Sequence, residues 1–598
     1  MNNPSDDPKN PTRRDLFAAG AALLGSTFLH SEPLLAKNQE RAKQVKITPD
    51  SPPAGYNILF ILVDQERFFP QWPFPVPARE AIKKKAITFL NHQAASCVCS
   101  SARSVIYTGQ HIQKTGVFDN LNYLWQPDMS IKVRTVGARL NELGYHAAYQ
   151  GKWHLSYNMV QESNPVKAPM EQYQKIIDSY GFQDFFGVGD ITDGPQGGYG
   201  FDQSTTSTVD RWLRTTAQNL KRQKKPWYLA VNFVNPHDSM WFNSDLPNQV
   251  VQGKKHAVPI MPAPSSEIYQ ASWTNTPLPA SRHQSFTANG RPEAHAIYQT
   301  IQNVMLGEWP DEDRRWRALL DYYFNCIRDC DRQVELVMQS LKDSGLENET
   351  IVIFTADHGE LGGAHQMRGK GTNAYKEQNH LPLMIIHPAY PGGKECHAIT
   401  SQLDLTPTII GLTGKDKAQR LAASADLKGK DFSSLLSNPE SAKINAIRPA
   451  SLFNFDMLSY QSPVWAEVTF DYMFAGNVSN KDKIAYLQKN EPNFHKRVAI
   501  RSCFDGRYRF TRYFSPLQFN TPQSMEELLA KNDIEIYDLK SDPNELNNLA
   551  LDLKRNGDLI LALNQKANKL IAQEVGVDDG KFLPIRNGKW HFPPSSDR

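Results

Sequence analysis

Two short motifs place metal-ligand side chains directly after apolar runs of the sequence. Asp64 and Gln65 follow NILFILV, and Asp357 and His358 follow TIVIFTA. Neighbouring carboxylates raise each other's pKa unless a cation lies between them. Two aspartates, an amide and an imidazole are therefore suitable ligands for one divalent metal ion. For each aspartate taken alone, the alternative is that it caps the helix that follows it.

Five basic side chains stand in short polar motifs elsewhere along the chain. A metal ion surrounded by arginine and lysine is a receptor for a tetrahedral oxyanion ester, either sulfate or phosphate. Each basic residue alone is more often a surface charge or a hydrogen-bonded core residue, so the prediction depends on the whole set. The five are Arg103, Lys152, His154, His237 and Lys370.

The elements that must position these residues alternate between apolar strands and helices. This alternation predicts an α/β fold, a mostly parallel sheet with helices on both faces. In such sheets ligands bind at the carboxyl ends of the strands, so Asp64, His237 and Asp357 are expected to meet at one edge. Strands are predicted within 57–64, 226–237, 349–360 and 380–388, a helix, a glycine stop and then a strand within 135–155, and a further helix near 329–341.

The last quarter of the chain differs in character. Its apolar segments predict antiparallel strands within 467–476, 498–514 and 533–550, followed by a closing helix over 559–574. We therefore predict a catalytic α/β domain over 50–448. A smaller C-terminal α+β domain, built on an antiparallel sheet, is predicted over 449–598.

The first 37 residues resemble a bacterial export signal. TRRDLF (Thr12 to Phe17) contains a twin-arginine pair, and an apolar stretch from Ala18 to Leu29 follows it. That stretch is too short to span a membrane, and no later run reaches spanning length. The sequence therefore predicts export through the twin-arginine translocon, a periplasmic or secreted location and no membrane span in the mature protein.

One cysteine, Cys99, lies in the polar segment SCVCSSARSVIYTGQ. In an exported protein a cysteine in such a turn is usually either disulfide-bonded or chemically used. The spacing of the six cysteines fits no disulfide framework and no paired C-x-x-C zinc site. Cys326 and Cys330 share a helix face and are predicted to be core residues. For Cys99 both a disulfide and a chemical role stay open at this point.

The segment CSSARSVIYTG, which begins at Cys99, resembles the signature of the formylglycine-dependent sulfatases, the type I sulfatases of the alkaline phosphatase superfamily. The resemblance implies an alkaline-phosphatase-like fold and the oxidation of Cys99 to formylglycine (3-oxoalanine) by a formylglycine-generating or maturase enzyme. It continues in family order through NILFILVDQER, GKWHL, NPH, TADHGELGGAHQMRGKG, LDLTPTIIGLTG and IYDLKSDPNELNNLA.

The resemblance also implies a metal site. Asp64, Gln65, Asp357 and His358 match the family's metal-binding positions, and the modified Cys99 completes the shell. The pairs Asp-Gln and Asp-His, in place of the family's frequent Asp-Asp and Asp-Asn, resemble the branch that holds choline sulfatases and phosphonate monoester hydrolases. The histidine moves the preference toward Mn²⁺ or Zn²⁺, and Ca²⁺ remains favoured.

The remaining roles follow from the same resemblance. The hydrated aldehyde provides one hydroxyl that attacks sulfur and a second that lets the covalent sulfate leave by C–O cleavage. Arg103 would hold this hydrate, and Lys152 and Lys370 would bind sulfate oxygens. His154 would stabilise or deprotonate the diol, and His237 would assist or protonate the leaving alcohol. Ser101 departs from the family motif, which usually has proline or alanine there.

Composition excludes one class of partner. The chain has 598 residues, 22% of them charged, and a formal net charge of +3, so no basic cluster indicates a nucleic-acid partner. The expected function is hydrolysis of an aryl or carbohydrate sulfate ester. The alternatives are a phosphonate monoester hydrolase or phosphodiesterase with the same nucleophile, and an inactive glycan-binding homologue in which Cys99 is unmodified.

The leaving-group pocket is expected from segments outside the family motifs, 69–79, 187–203 and 241–314. Their aromatic side chains are predicted either to stack on the substrate or to anchor loops. They include Trp241, Phe242, Tyr269 and Trp273.

Overall fold

The computed structural model describes residues 52–591 except 162–169, 188 and 191–193. The predicted export signal at residues 1–37 lies outside the described residues. Within them the chain forms a seven-stranded and a four-stranded sheet, each with helices packed against it. No helix in this described part is both long and apolar enough to cross a bilayer.

Seven strands form the central sheet in the order β3-β4-β1-β5-β6-β2-β7. All run parallel except β6, which is antiparallel to both of its neighbours. This architecture confirms the predicted α/β fold. The strands are β1 (Asn57–Val63), β2 (Ile87–Gln93), β3 (His146–Gly151), β4 (Trp227–Asn232), β5 (Thr350–Ala356), β6 (Leu383–Ile386) and β7 (Lys394–Ser401).

Helices connect these strands and continue to the end of the described chain. They are α1 (Pro77–Lys85), α2 (Cys99–Thr108), α3 (Ile112–Thr115), α4 (Val136–Glu142), α5 (Tyr157–Gln161), α6 (Met170–Ser179), α7 (Gly197–Arg214), α8 (Thr216–Arg222), α9 (Glu293–Leu306), α10 (Asp313–Asp343), α11 (Lys376–Asn379), α12 (Leu405–Leu412), α13 (Lys417–Ser424), α14 (Pro463–Met473), α15 (Asn480–Lys489), α16 (Met525–Lys531) and α17 (Leu553–Glu574).

Strand β1 illustrates why the central strands are continuous apolar runs. Ile58 and Phe60 pack in the core on one face of the sheet, and Leu59 and Ile61 pack in the core on the other. Successive strand side chains point to opposite faces, so a strand covered on both faces must be apolar throughout. Each fully buried side chain of this kind contributes about 1.5–3 kcal/mol of transfer free energy. The strand that ends at Asp64 is therefore rigidly held.

Helix α10 contains the predicted helix at 329–341 and extends it in both directions. Cys326 and Cys330 are fully buried on this helix, which confirms their prediction as core residues. All six cysteines of the chain are buried and unpaired. The structure therefore has no disulfide, in agreement with the cysteine spacing.

The C-terminal sheet has four antiparallel strands in the order β11-β10-β9-β8. Helix α17 packs on it through residues that include Ile560, Leu563 and Ile571, which confirms the predicted closing helix. The predicted division between domains at residue 448 stays a prediction. The strands are β8 (Ser451–Phe455), β9 (Ala499–Phe504), β10 (Tyr508–Phe514) and β11 (Asp533–Asp538), and a separate small hairpin joins β12 (Ile585–Arg586) to β13 (Lys589–Trp590).

One strand prediction is wrong. The segment 467–476 was expected to be a strand, but most of it lies in helix α14. The Ser462 side chain caps this helix by accepting a hydrogen bond from the Trp465 backbone N–H, and Pro463 occupies the first turn. Buried residues recur at helical spacing, from Trp465 through Thr469 to Met473. The cap and this spacing outweigh the strand preference of the β-branched and aromatic residues.

Candidate active site

The carboxyl ends of four neighbouring strands supply the candidate site. The last residues of β1 and β5 pair in register, so the two aspartates that follow emerge side by side. The sheet order β3-β4-β1-β5 places the ends of these four strands next to one another. Lys152 directly follows β3, Asp64 follows β1 and Asp357 follows β5. His237 lies in the loop that continues from β4.

A buried cluster of possible metal ligands occupies this edge. Asp64, Cys99, Asp357 and His358 are fully buried, and their ligand atoms all lie within 4.8 Å of one another. Cys99 Sγ is 3.1 Å from His358 Nε2 and 3.5 Å from Asp64 Oδ1. His358 Nδ1 lies 3.1 Å from the Gly359 carbonyl oxygen, which can only accept. The hydrogen is therefore on Nδ1, and Nε2 presents a lone pair to the cluster.

Helix α2 positions both Cys99 and Arg103. The helix begins at Cys99, and Arg103 lies one turn later on the same face. The helix ends at Gly109, whose left-handed φ of 65° suits glycine. A helix N-terminus carries partial positive charge and free backbone N–H groups. Position 99 therefore lies where negative charge is stabilised.

Arg103 bridges the two aspartates of the cluster. Its Nε donates to Asp357 Oδ2 at 3.0 Å, and its Nη2 donates to Asp64 Oδ2 at 3.2 Å. Its Nη1 donates to the Lys152 carbonyl at 2.8 Å. The Lys152 ammonium lies 2.7 Å from Asp64 Oδ2. These charge-assisted contacts hold the carboxylates in one orientation.

The pKa values of the two aspartates are shifted in opposite directions. Burial alone would raise the pKa of Asp64, but Lys152, His237 and Arg103 hold that pKa well below its usual range. The pKa of Asp357 is raised, first by burial and then by the charge of Asp64. The site therefore holds one firmly ionised carboxylate and one that is destabilised as an anion, an arrangement that a bound cation relieves.

The amide of Gln65 connects this cluster to Lys370. The Gln65 backbone N–H donates to Asp357 Oδ1 at 3.0 Å, and its side-chain amide hydrogen-bonds to Lys370 and Glu360. Its φ of 73° is uncommon for a non-glycine residue, and its carbonyl accepts from the Tyr323 hydroxyl at 2.9 Å. Gln65, itself one of the predicted ligands, is thus joined to Asp357 through its backbone, and its side chain is bonded to Lys370 and Glu360.

His154 is held in a defined orientation by Asp190. The Asp190 carboxylate accepts from the backbone N–H groups of Trp153 and His154, at 2.6 and 2.5 Å. His154 Nε2 lies 2.7 Å from Asn122 Oδ1, so Nε2 donates. Its buried Nδ1 has no hydrogen-bond partner among the described residues and carries a lone pair. His154 can therefore accept a proton through Nδ1.

A cavity of about 340 Å³ opens beside the cluster. His154, His237 and Lys370 line its polar end. Its remaining walls are mostly apolar, and Lys370 is the one lysine or arginine among its lining residues. The apolar and aromatic walls include Tyr123, Trp241, Met305, Met457, Tyr460 and Phe474.

The aromatic side chains singled out in the sequence divide between two roles. Trp241 lines the cavity. Phe242 and Tyr269 pack in a core cluster with residues of α10, and Trp273 packs against Phe74. Within the expected pocket segments, 241–314 contributes several cavity residues, whereas 69–79 contributes none.

Sequence reasoning missed several residues of the site. Glu360 hydrogen-bonds to Gln65 and accepts from the backbone N–H groups of Gly362 and Gly369. Its position in the segment DHGE, directly after the predicted ligands, could have indicated that it belongs to the site. Asp190 is separated from His154 along the chain and carried no signal. Met457 and Tyr460 come from the C-terminal part of the chain, and local patterns cannot indicate such a contact.

Comparisons with known proteins agree with this geometry. The family model described as Sulfatase matches residues 56–415. An ulvan-active sulfatase of Formosa agariphila is 23% identical over 402 residues, 65% of this chain and 66% of that protein. A choline-sulfatase of Rhizobium meliloti is 25% identical over 388 residues, 60% of this chain and 67% of that protein. The chain thus spans about two thirds of the length of these relatives.

A solved structure has the same fold. The phosphonate monoester hydrolase of Agrobacterium radiobacter aligns with a TM-score of 0.57 at 19% identity, covering 87% of this chain and 96% of that one. The alignment extends beyond the residues of the family model to most of the described chain.

Proposed function

The chain belongs to the sulfatase family, and on that premise we propose that it hydrolyses sulfate esters with a formylglycine formed from Cys99 and one divalent metal ion. The observation that carries the proposal is the position of Cys99. Its Sγ lies at a helix N-terminus, 3.1 Å from His358 and 3.5 Å from Asp64, beside the cavity. A buried thiol at that point that forms no disulfide is suited to conversion into a nucleophile.

The cluster around Cys99 suits a divalent ion. Two carboxylates, one imidazole lone pair and an oxygen at position 99 would be its ligands, and Gln65 lies beside them. Oxygen ligands suit Ca²⁺, and the imidazole brings Mn²⁺ into range. When bound, the ion would neutralise the carboxylates and polarise the sulfate ester as a Lewis acid.

The chain's own basic residues have distinct parts in the proposal. Arg103 and Lys152 hold Asp64 in place and put positive charge next to position 99. Lys370 faces the cavity and would bind a sulfate oxygen. His154 would take a proton from position 99 through its unpartnered Nδ1, and His237 would assist the leaving alcohol as a neutral hydrogen-bond donor.

Maturation and export complete the proposal. A formylglycine-generating enzyme would convert Cys99 in the cytoplasm, reading the local CSSAR motif. The twin-arginine translocon, which carries folded proteins, would then export the enzyme to the periplasm or beyond. A catalytically inactive glycan-binding protein is less consistent with the site, because all the predicted charged residues are present, Arg103 hydrogen-bonds both aspartates and Lys152 forms an ion pair with Asp64.

The walls of the cavity support an uncharged aromatic leaving group. Tyr123, Trp241 and Tyr460 offer aromatic faces, and Met305 and Met457 offer adaptable apolar surface. A polyanionic sugar chain would need additional arginine or lysine side chains, and Lys370 alone supplies that charge in the lining. We therefore propose that the preferred substrates are sulfate esters of phenols.

Two esters of 4-nitrophenol separate this function from its closest rival. We expect a higher kcat/KM for 4-nitrophenyl sulfate than for 4-nitrophenyl phenylphosphonate, because the leaving group is the same and only the reacting centre differs. The reverse order would favour a phosphonate monoester hydrolase. Hydrolysis of neither ester, by protein with a modified residue 99, would contradict the proposal.

Trp241→Ala tests the leaving-group wall. The variant is expected to lower kcat/KM for the aromatic sulfate about tenfold, because one stacking face is lost. Trp273→Ala is the matched control, since Trp273 packs against Phe74 and lies outside the cavity lining. An equal loss in both variants would place the effect in folding and not in substrate contact.

The pH profile is expected to keep its acid limb below pH 6.5. Burial, and then the charges of Lys370 and Lys152, hold the pKa of His237 well below 6.5. The pKa of His154 is also well below 6.5, because of burial and then Lys152. Both imidazoles therefore stay neutral as the pH falls through 6.5, and activity that needs them neutral is lost only at lower pH.

Lys370→Gln provides the check on this cause. Without the Lys370 charge the pKa of His237 rises, so the acid limb of kcat/KM, normalised to its maximum, is expected to shift to higher pH. The measurement is kcat/KM for 4-nitrophenyl sulfate across pH 4–8 in both proteins. An acid limb at or above pH 6.5 in the wild type, or an unshifted limb in the variant, would contradict the assignment.

A further inference from the structure

A second group of ligand-type side chains lies apart from the candidate active site. We call His365, Glu377 and Glu545 the histidine–glutamate cluster; one ligand atom from each lies within 4.8 Å of the others. His365 and Glu545 are fully buried, and the Glu377 side chain is mostly buried, at 13% exposed. The three come from separate segments: the loop after β5, helix α11 and the loop after β11.

The tautomer of His365 leaves a lone pair directed into this cluster. His365 Nδ1 lies 2.6 Å from Gln284 Oε1, an amide oxygen that can only accept, so the hydrogen is on Nδ1. Nε2 is buried and has no partner among the described residues. The ring is fixed by stacking on Tyr375, with centroids 3.5 Å apart and planes 7° apart. Burial, and then Arg291, keep the pKa of His365 well below 6.5, so the ring is neutral.

The two carboxylates also have capacity left. Glu377 Oε2 is buried without a partner among the described residues. Glu545 accepts from Arg509 Nε and from the Lys376 backbone N–H, both at 2.8 Å. Lys376 Nζ lies 3.8 Å from Glu377 Oε1. Arg509 and Lys376 thus offset part of the negative charge, but neither contacts His365 Nε2 or Glu377 Oε2.

A bare imidazole lone pair and carboxylate oxygens repel one another unless a cation lies between them. The pKa of Glu545 is raised to about 7, by burial first, with Glu377 adding to the rise against Arg509. An imidazole nitrogen and carboxylate oxygens are ligand types that Zn²⁺ accepts, and they also suit Mn²⁺. A second-shell acceptor on the other ring nitrogen is the usual companion of a metal-binding histidine, and Gln284 supplies it.

We propose that His365, Glu377 and Glu545 bind a second divalent cation of the Zn²⁺ type. The ion would be structural. Lys370 lies between His365 and Glu377 along the chain, so the ion would fix both ends of the segment that carries Lys370. Through Glu545 it would also tie that segment to the loop after β11.

Metal stoichiometry of the full chain tests the proposal. Chelator-treated protein is dialysed against Zn²⁺, and bound metal is measured by inductively coupled plasma mass spectrometry. We expect one equivalent fewer in His365→Gln and in Glu377→Gln than in the wild type. Glu377→Gln is isosteric, so it guards against a folding failure in the first variant.

Two controls separate this cluster from other metal-binding groups. Asp357→Asn alters the candidate active site and is expected to keep the equivalent that His365→Gln loses. His283→Gln, at a side chain that is 69% exposed, is expected to leave the stoichiometry unchanged. Zn²⁺ should also raise the melting temperature of Asp357→Asn by more than that of His365→Gln.

Two outcomes would overturn the proposal. The first is equal zinc content in the wild type, His365→Gln and Glu377→Gln. The second combines two measurements on Glu377→Gln. After chelation the variant is more stable than chelated wild type, and after dialysis against Zn²⁺ it binds as much zinc as the wild type. In that case a proton shared by Glu377 and Glu545 would account for the cluster.

Discussion

Replacing Cys99 by alanine is expected to abolish sulfate ester hydrolysis. The variant removes the atom from which the nucleophile is formed, and loss of a catalytic nucleophile lowers kcat by about 10⁴-fold or more. The fold should persist, because the side chain is small and its contacts are with ligand-type residues and not with the apolar core. The measurement is kcat for 4-nitrophenyl sulfate, with circular dichroism to verify folding.

Cys97→Ala is the matched control for this experiment. Cys97 is also fully buried and lies two residues away, but Ser101 and not arginine stands four residues after it. We expect this variant to retain most of the wild-type activity. Full activity in Cys99→Ala, or an equal loss in both variants, would contradict the role assigned to Cys99.

Cys99→Ser distinguishes an aldehyde from a simple hydroxyl nucleophile. A serine retains one hydroxyl group but lacks the second hydroxyl of the hydrated aldehyde, so release of the covalent sulfate would need attack by water on sulfur. We therefore expect at most one equivalent of 4-nitrophenol per enzyme and then no turnover. Sustained turnover near the wild-type rate would show that no formylglycine is needed.

Replacing Arg103 by lysine is expected to have the second largest effect. Arg103 is fully buried and bonds Asp64, Asp357 and the Lys152 carbonyl at once. Lysine keeps the charge but cannot make this fork of hydrogen bonds. We expect kcat/KM for 4-nitrophenyl sulfate to fall by about 10²–10³-fold. Arg103→Ala would in addition remove the cation that the two buried carboxylates share, at a cost of about 3–5 kcal/mol, although Lys152 would still pair with Asp64.

Arg501→Lys separates the catalytic loss from the loss of stability. Arg501 is also fully buried and pairs with two carboxylates, those of Asp456 and Asp578, but it lies on strand β9 of the C-terminal sheet. Both lysine variants should lower the free energy of unfolding in urea, whereas only Arg103→Lys should lower kcat/KM more than tenfold. Similar kinetics for the two variants would contradict a role for Arg103 at the reacting centre.

The parts of the site that local sequence patterns predicted are those attached to strand ends. Asp64 and Asp357 follow continuous apolar runs, and parallel pairing of β1 with β5 then brings them together without further information. Cys99 and Arg103 are four residues apart, so any helix places them on one face.

The parts that were missed depend on contacts between distant segments. Asp190 orients His154 from 36 residues away along the chain, and nothing in its local sequence differs from a surface acid. The cavity wall formed by Met457, Tyr460 and Phe474 belongs to the C-terminal part of the chain. Such a wall depends on how distant segments pack together, whereas hydrophobic periodicity indicates only which face of a helix or strand is buried.

The error at 467–476 has a local cause. Its β-branched and aromatic residues favour a strand, but the Ser462–Pro463 pair just upstream starts a helix. The buried positions of that helix pack in the same core as Tyr123 and Trp125. The capping signal outside the segment was therefore more informative than the composition inside it.

The most direct test of the central claim is the mass of the tryptic peptide Ala86 to Arg103, AITFLNHQAASCVCSSAR, from protein purified from its native host. The account predicts a loss of about 18 Da relative to the cysteine form, as conversion of CH₂SH to CHO requires. Fragment ions should assign the change to Cys99 and leave Cys97 as a free thiol. An unmodified Cys99 in fully active protein would contradict the account.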